Sequence, residues 1–282
     1  MKKILITGIN SYIGNSLESK LKTESTQYEI NKISLKDGSW EKDDFTIYDS
    51  LVHVAGIAHV STDPDMEQTY YKVNRDLTIE IAEKAKLEGV KQFIFLSSII
   101  VFGNDATEVI SKETIPKPDS FYGNSKLQAE EQLIKLESED FKICIVRPPM
   151  IYGKNSKGNY LRLSKLAKTV PLFPKYENKR SMLFIENLTE FLKLMIDNNE
   201  SGIFHPQNQE YTNTSELVTL IAEVHGKKLL TTKMFNKLIT IFKNNSTMKK
   251  VFGNFVYDYT LSYYKEEYCK FSLEESIKST ES

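Results

Sequence analysis

Tyr122 and Lys126 stand four residues apart in Tyr122-Gly123-Asn124-Ser125-Lys126. On a helix that spacing sets a phenol and an ammonium one above the other on a single face. A phenol near pKa 10 moves few protons at pH 7, but a nearby cation lowers that value by roughly one to three units. Hydride chemistry on an alcohol or ketone requires such a pair, because one group must move the hydroxyl proton while a cofactor moves the hydride. Upstream, Phe93-Ile94-Phe95-Leu96-Ser97-Ser98 closes an apolar run. A serine beyond the carboxyl end of a strand can hydrogen-bond the reacting oxygen, which places Ser98 with the pair. At the start of the chain, Gly8, Asn10, Ser11, Tyr12, Ile13 and Gly14 fill the turn between a short apolar run and a helix-spaced set, Ile13, Leu17 and Leu21. A strand that turns sharply into a helix offers free N–H groups and the positive helix end to a pyrophosphate. Ser11 stands where the dinucleotide fingerprint has its middle glycine, so its hydroxymethyl group either crowds the phosphate or donates to it.

The elements that must carry these residues follow from alternation. Apolar runs at Ile4–Thr7, Ile30–Leu35, Ser50–Ala55, Gln92–Ser97 and Lys142–Arg147 are separated by helix-period stretches. That order predicts an α/β fold, a doubly wound parallel sheet with helices on both faces. After Pro148-Pro149 the elements shorten and prolines recur, which predicts a dinucleotide-binding domain over 1–150 and a smaller C-terminal substrate lobe over 151–282, with room for some of its segments to return to the first domain. Between Lys227 and Lys250 there are seven lysines and no acid, interleaved with Leu229, Leu230, Met234, Leu238, Ile241 and Phe242. The expectation is a helix with the apolar residues packed inward and a solvated basic face, rather than a surface for a membrane or an acidic partner. Lys+Arg 37 against Asp+Glu 38 leaves a net charge of −1, which supplies no field for nucleic acid. Two cysteines make neither a disulfide framework nor a metal set, and no run approaches a membrane span, so the chain reads as cytoplasmic.

Taken together these stretches resemble the extended short-chain dehydrogenase/reductase family, the NAD-dependent epimerases and dehydratases of nucleotide-sugars. The matching segments are Thr7–Gly14 (TGINSYIG), Val52–Gly56 (VHVAG), Val73–Thr78 (VNRDLT), Leu96–Gly103 (LSSIIVFG), Tyr122–Lys126 (YGNSK) and Arg147–Gly153 (RPPMIYG). The resemblance implies a Rossmann-like fold with Ser98, Tyr122 and Lys126 as the catalytic set and Asn74 supporting the proton relay. It also implies that Lys126 bonds the nicotinamide ribose and that Ala55, Gly56 and Pro148 line an NAD or NADP cofactor. In the second lobe it implies contacts to a UDP-sugar from Asn159, Tyr160, Phe173 and Arg180. A guanidinium suits a diphosphate physically. A homodimer is usual in the family.

Residue types narrow the chemistry. Family members that eliminate water at carbons 4 and 6 carry an acid and a base just after the catalytic hydroxyl, where this chain has Ile99 and Ile100. Those that epimerise at carbons 3 and 5 need a cysteine or histidine beside the ring, which Cys144, Cys269 and His53 are not placed to supply. A 4-keto reductase and a 4-epimerase remain. Closer matching points to enzymes that reduce UDP-4-keto-6-deoxy-N-acetylhexosamines for capsule and O-antigen synthesis, with a UDP-glucose or UDP-N-acetylglucosamine 4-epimerase as the alternative. Lys36 and Asp37, side by side after the second strand, leave NAD against NADP open, since an acid there holds ribose hydroxyls and a cation a 2′-phosphate.

Overall fold

The computed structural model describes residues 1–24, 26–57, 63–103, 109–242 and 245–282. Its strands are β1 (Lys2–Thr7), β2 (Tyr28–Ile33), β3 (Ser50–His53), β4 (Gln92–Leu96), β5 (Lys142–Val146), β6 (Met150–Tyr152), β7 (Leu172–Pro174), β8 (Met182–Phe184), β9 (Gly202–Phe204) and β10 (Leu230–Thr232). By contact the chain divides into two interleaved units. The first is Met1–Gly103, Pro116–Pro148 and Leu188–His205; the second is Asn104–Ile115, Pro149–Asn187 and Pro206–Ser282.

The first unit is built on a parallel sheet in the order β2-β1-β3-β4-β5-β9. Helix α1 (Tyr12–Lys22) carries the chain from β1 outward to β2. Helices α2 (Glu67–Tyr71), α3 (Leu77–Leu87) and α4 (Phe121–Leu136) carry it the opposite way, from β3 to β4 to β5. Right-handed crossovers running in opposite directions put helices on opposite faces. Every residue of β3 and β4 is buried, as expected of strands covered on both sides. Leu51, Phe93, Phe95, Ile143 and Ile145 pack with Ile81, Ala85, Ala129 and Leu133 of the helices. The strand order reverses between β1 and β3, and in open parallel sheets ligands bind beyond the strand ends at that reversal. Gly8, Ala55 and Gly56 follow those two strands.

In the second unit β6 pairs with β8 and β7 with β10, both parallel. Its helices are α5 (Asn159–Thr169), most of the chain after β9, namely α7 (Thr214–Val224), α8 (Asn236–Ile241), α9 (Ser246–Phe252) and α10 (Leu273–Glu281), and the first residues of α6 (Ile185–Asp197). Asn213 caps α7 through Ser215 N and Glu216 N, and Ser272 forms a capping box with Glu275 on α10. Glu281 ties α5, α7 and α10 together, taking hydrogen bonds from Tyr160 (2.9 Å) and Ser164 (3.0 Å), an ion pair with Lys168 (2.8 Å) and a hydrogen bond with His225 Nε2 (2.7 Å). The lysine-rich stretch departs from expectation. It forms two short helices rather than one, and Leu230, Met234, Leu238, Ile241 and Phe242 are exposed while Ile239 alone of these apolar side chains is buried. Helix α8 has six residues, too few turns to lay a full stripe on a core. Among the described residues no helix is long and apolar enough to cross a membrane.

Candidate active site

The loop after β1 turns at Gly8, whose φ of +85° is one that side chains other than glycine's rarely adopt. A Cβ on Gly8 would meet Ala55 Cα and Ser11 Cβ at 3.4 Å, so strand end, loop and helix start close on one another. Gly14 is buried, and a Cβ there would press on Ile6 and Val54 at 3.2 Å. Ser11 has a structural task at its position. It is the N-cap of α1, accepting from Gly14 N at 3.3 Å, which is work a glycine cannot do. Asn10 is exposed, and Tyr12 and Ile13 open the first turn of α1. After β2 the two candidate discriminators are both exposed. Asp37 accepts from Ser39 N (3.2 Å) and Ser39 Oγ (2.8 Å), bonds that hold its carboxyl below the usual range, while Lys36 is exposed.

Ser98 ends the strand segment as the N-cap of a tight turn over Ile99–Phe102, accepting from Ile100 N at 3.3 Å. Helix α4 begins directly against that turn. A Cβ on Gly123 would come within 2.9 Å of Ile100 O and 2.8 Å of Pro118 Cβ, so glycine is what lets the helix approach. The approach joins Tyr122 to Ser98. Burial pushes the Tyr122 phenol up to about 12, and the hydrogen bond with Ser98 opposes that rise. The expected lowering by Lys126 is not observed. The Lys126 ammonium donates to Leu96 O at 2.8 Å and sits 4.5 Å over the Phe95 ring, and it does not figure among the groups that move Tyr122. Burial pulls Lys126 itself down to about 8, with the Glu130 carboxylate opposing. In this arrangement the phenol is neutral at pH 7 and the lysine is close to its own titration.

Beneath the pair lies a hydrogen-bonded lattice. Asn74, fully buried in a π-helical turn over Lys72–Asp76, donates to Ser125 Oγ (3.2 Å) and Ile57 O (3.1 Å) and accepts from Ile57 N (2.8 Å). Ser125 Oγ in turn donates to Tyr122 O at 2.9 Å. A Cβ on Gly56 would lie 2.9 Å from Asn74 Oδ1 and 3.4 Å from Lys126 Nζ, so Gly56, Asn74 and Lys126 meet at one point. His53 Nδ1 is 3.0 Å from Thr7 Oγ1 and His53 Nε2 is 3.0 Å from Thr78 Oγ1, binding β1, β3 and α3. Burial lowers His53 to about 3 and leaves it neutral, which suits a brace and not an acid or base at carbons 3 and 5. Cys144 is fully buried with its thiol pushed far up, and Ile99 and Ile100 are buried and apolar. Pro148 is buried, its carbonyl accepting from Ile99 N at 2.9 Å.

In the second unit the four expected substrate contacts fare differently. Asn159 is exposed at the start of α5. Arg180 is partly buried and donates to Gly253 O (3.1 Å) and Lys249 O (3.4 Å). Burial alone drags its guanidinium down to about 10, and among the described residues no carboxylate pairs with it. Phe173 is buried against Phe252, ring centroids 5.9 Å apart. Tyr160 is a correction. It is 3% exposed, stacks on Tyr152 at 5.2 Å and spends its hydroxyl on Glu281, so it serves the interior and presents no polar atom to a ligand.

The model of the NAD dependent epimerase/dehydratase family matches residues 4–207. The chain belongs to that family. A UDP-glucose 4-epimerase of Vibrio cholerae is 32% identical over 250 residues, covering 78% of this chain and 75% of its own length. Among solved structures, a UDP-glucuronic acid 4-epimerase from Bacillus cereus in complex with NAD superposes with a TM-score of 0.74 at 17% identity, over 98% of this chain and 94% of that one. A dTDP-4-dehydrorhamnose reductase from Bacillus anthracis in complex with NADP gives 0.67 at 22% identity, over 84% and 86%. The fold is that of these Rossmann-like neighbours, and the chain is an NAD(P)-dependent nucleotide-sugar epimerase or reductase of the epimerase/dehydratase family.

Sequence reasoning missed one structural partner of the family's helix. Glu130, one turn beyond Lys126 on α4, is buried and gripped by Arg147: Nη2 to Oε2 at 2.5 Å, and Nε to both oxygens at 3.1 Å. The periodicity Tyr122, Lys126, Glu130 carried the signal, since three polar residues at spacing four on a helix cannot all face solvent if the first two face a site.

Proposed function

We propose that this chain reduces the 4-keto group of a UDP-4-keto-6-deoxy-N-acetylhexosamine in the making of a surface polysaccharide. The observation that carries the direction is the state of Tyr122. A phenol held neutral by burial and hydrogen-bonded to Ser98 has a proton to give, and a ketone reduction is completed by a proton given to the new alkoxide. A bound nicotinamide dinucleotide supplies the hydride. The closed turn at Gly8, the capped start of α1 and the point shared by Gly56, Asn74 and Lys126 fit such a group. Ser98 would orient the ketone oxygen and share the developing charge, Tyr122 would protonate it, and Lys126 would hold the ribose. Asn74 would keep Lys126 and the backbone of Tyr122 in place through Gly56 and Ser125. Arg180, a cation whose side chain donates to the carbonyls of Gly253 and Lys249, would receive the diphosphate, with Asn159 and Phe173 beside the nucleotide-sugar. Lys36 and Asp37 are both exposed after β2, so either an adenosine ribose or a 2′-phosphate could be met there, and the cofactor is NAD or NADP.

A second reading, a UDP-sugar 4-epimerase, is favoured by the 32% identical relative of that name. Tyr122 would then act first as base and afterwards as acid. Purified protein incubated with the 4-keto-6-deoxy sugar nucleotide and NADPH or NADH separates the two. Stoichiometric loss of reduced-nicotinamide absorbance supports the reductase. Inversion of UDP-glucose or UDP-N-acetylglucosamine without added cofactor, and no oxidation of NADPH or NADH, would replace it with the epimerase.

A further inference from the structure

We infer that the lysine-rich segment of the second unit is a docking surface for an anionic lipid bilayer. The inference stands apart from the active-site assignment and uses none of its residues. From Lys227 to Lys250 the chain holds seven lysines and no acid, in a protein whose net charge is only −1. The segment therefore concentrates positive charge that the rest of the chain cancels. Five of its large apolar side chains stay exposed, while Ile239 turns inward. Relative exposure is 57% at Leu230, 71% at Met234, 54% at Leu238, 71% at Ile241 and 57% at Phe242.

Met234, Leu238, Ile241 and Phe242 follow the spacing i, i+4, i+7 and i+8, which gathers them on one side of α8 and the turn that leads into it. Lys233 and Lys237 are exposed within the same two turns. Large apolar side chains clustered in water mark a surface awaiting a partner. Contrast α7 of the same unit, whose Leu217, Val218, Ile221 and Ala222 are all buried.

The chemistry selects the partner. Exposed apolar side chains interleaved with lysines, with no acid between Lys227 and Lys250, match an interface where acyl chains lie under anionic headgroups: the rings and methyls would enter the acyl boundary and the lysine stems reach back to the phosphates. A second copy of the chain would set the same acid-free face against itself and oppose lysine to lysine, which electrostatics disfavours. Lys243, one of the seven, lies outside the described residues, and no statement of its placement enters the argument.

Sedimentation of the full chain with vesicles tests this. One set is phosphatidylcholine alone, and the other contains about 30% phosphatidylglycerol, each at low and at roughly 0.5 M salt. Binding is expected to the anionic vesicles at low salt and to be lost at high salt. Lys233→Gln/Lys237→Gln should weaken it by about tenfold or more, since each lysine near such a surface contributes severalfold. Leu238→Glu/Ile241→Glu should abolish it while leaving thermal melting unchanged, because both side chains are exposed. Equal partition to both vesicle types, or undiminished binding by Leu238→Glu/Ile241→Glu, would overturn the inference. So would a monomer–dimer shift abolished by that variant in the absence of vesicle binding, which would give the face to a second copy. Retention on polyglutamate without vesicle binding would give it to an acidic polypeptide instead.

Discussion

In the first unit Arg147 meets Glu130 through three contacts between 2.5 and 3.1 Å, whereas in the second Arg180, among the described residues, meets the carbonyls of Gly253 and Lys249. The same division separates Lys126 from Glu281. Lys126 has one carbonyl, one aromatic face and a distant acid, and burial pulls it down to about 8. Burial would raise Glu281, but Lys168, His225, Ser164 and Tyr160 together outweigh it and bring the carboxyl down to about 2. A buried charge that costs folding energy is kept only if it is compensated, and a charge left short of partners is one that a ligand can complete. On that criterion Arg147–Glu130 and Glu281 belong to the architecture, and Lys126 and Arg180 are the residues proposed to meet ligands.

The largest effect should come from the under-partnered side. Tyr122→Phe is expected to cut kcat by about 10²–10⁴ while dinucleotide binding, measured by fluorescence titration, stays within a few fold. The sharpest contrast uses one substitution twice. Arg147→Met should cost roughly 3–5 kcal/mol in denaturant unfolding because it strands Glu130, and adding Glu130→Leu should recover much of that loss. Arg180→Met should leave the unfolding midpoint nearly unchanged and raise KM for the nucleotide-sugar about 10- to 100-fold. If both arginines behave alike, the division between architecture and function fails.

The pH profile probes Lys126. Its ammonium is charged below about 8 and neutral above, while Tyr122, pushed up to about 12, keeps its proton throughout that window. kcat/KM should therefore fall as pH rises through about 8, and a flat profile to pH 9 would remove Lys126's charge from the mechanism. Glu281→Gln should have the smallest effect, about 1–2 kcal/mol of stability at neutral pH. The depressed carboxyl stabilises the fold above its ordinary 4.5, and the contribution is lost as pH falls from there through about 2, so the variant and the parent should converge in acid.

Local spacing made the first unit legible. Gly8, Gly14, Tyr122 and Lys126 announce turns and helix faces within a few residues of themselves, and alternating apolar runs give the parallel sheet its strands. What escaped depends on partners far along the chain. Glu130 and Arg147 are seventeen residues apart with a helix end between them, and only the fold makes them a pair. Tyr160 looked like a ligand contact because nothing local shows that Glu281, at the other end of the unit, takes its hydroxyl. The effect of Lys126 on Tyr122 was misjudged for a related reason: spacing sets two side chains on one face, but the Leu96 carbonyl decides where the ammonium ends. Periodicity likewise could not say whether Met234, Leu238, Ile241 and Phe242 had a core to face.

The central claim is that Tyr122 is a proton donor to a ketone at carbon 4. Its most direct test is oxidation of NADPH or NADH, followed by absorbance, in the presence of UDP-4-keto-6-deoxy-N-acetylglucosamine, with the product identified by NMR. The account predicts one NADPH or NADH consumed per sugar reduced at carbon 4, and loss of that turnover in Tyr122→Phe with dinucleotide binding retained. Undiminished turnover in Tyr122→Phe, or consumption of neither dinucleotide by the parent protein, would contradict it.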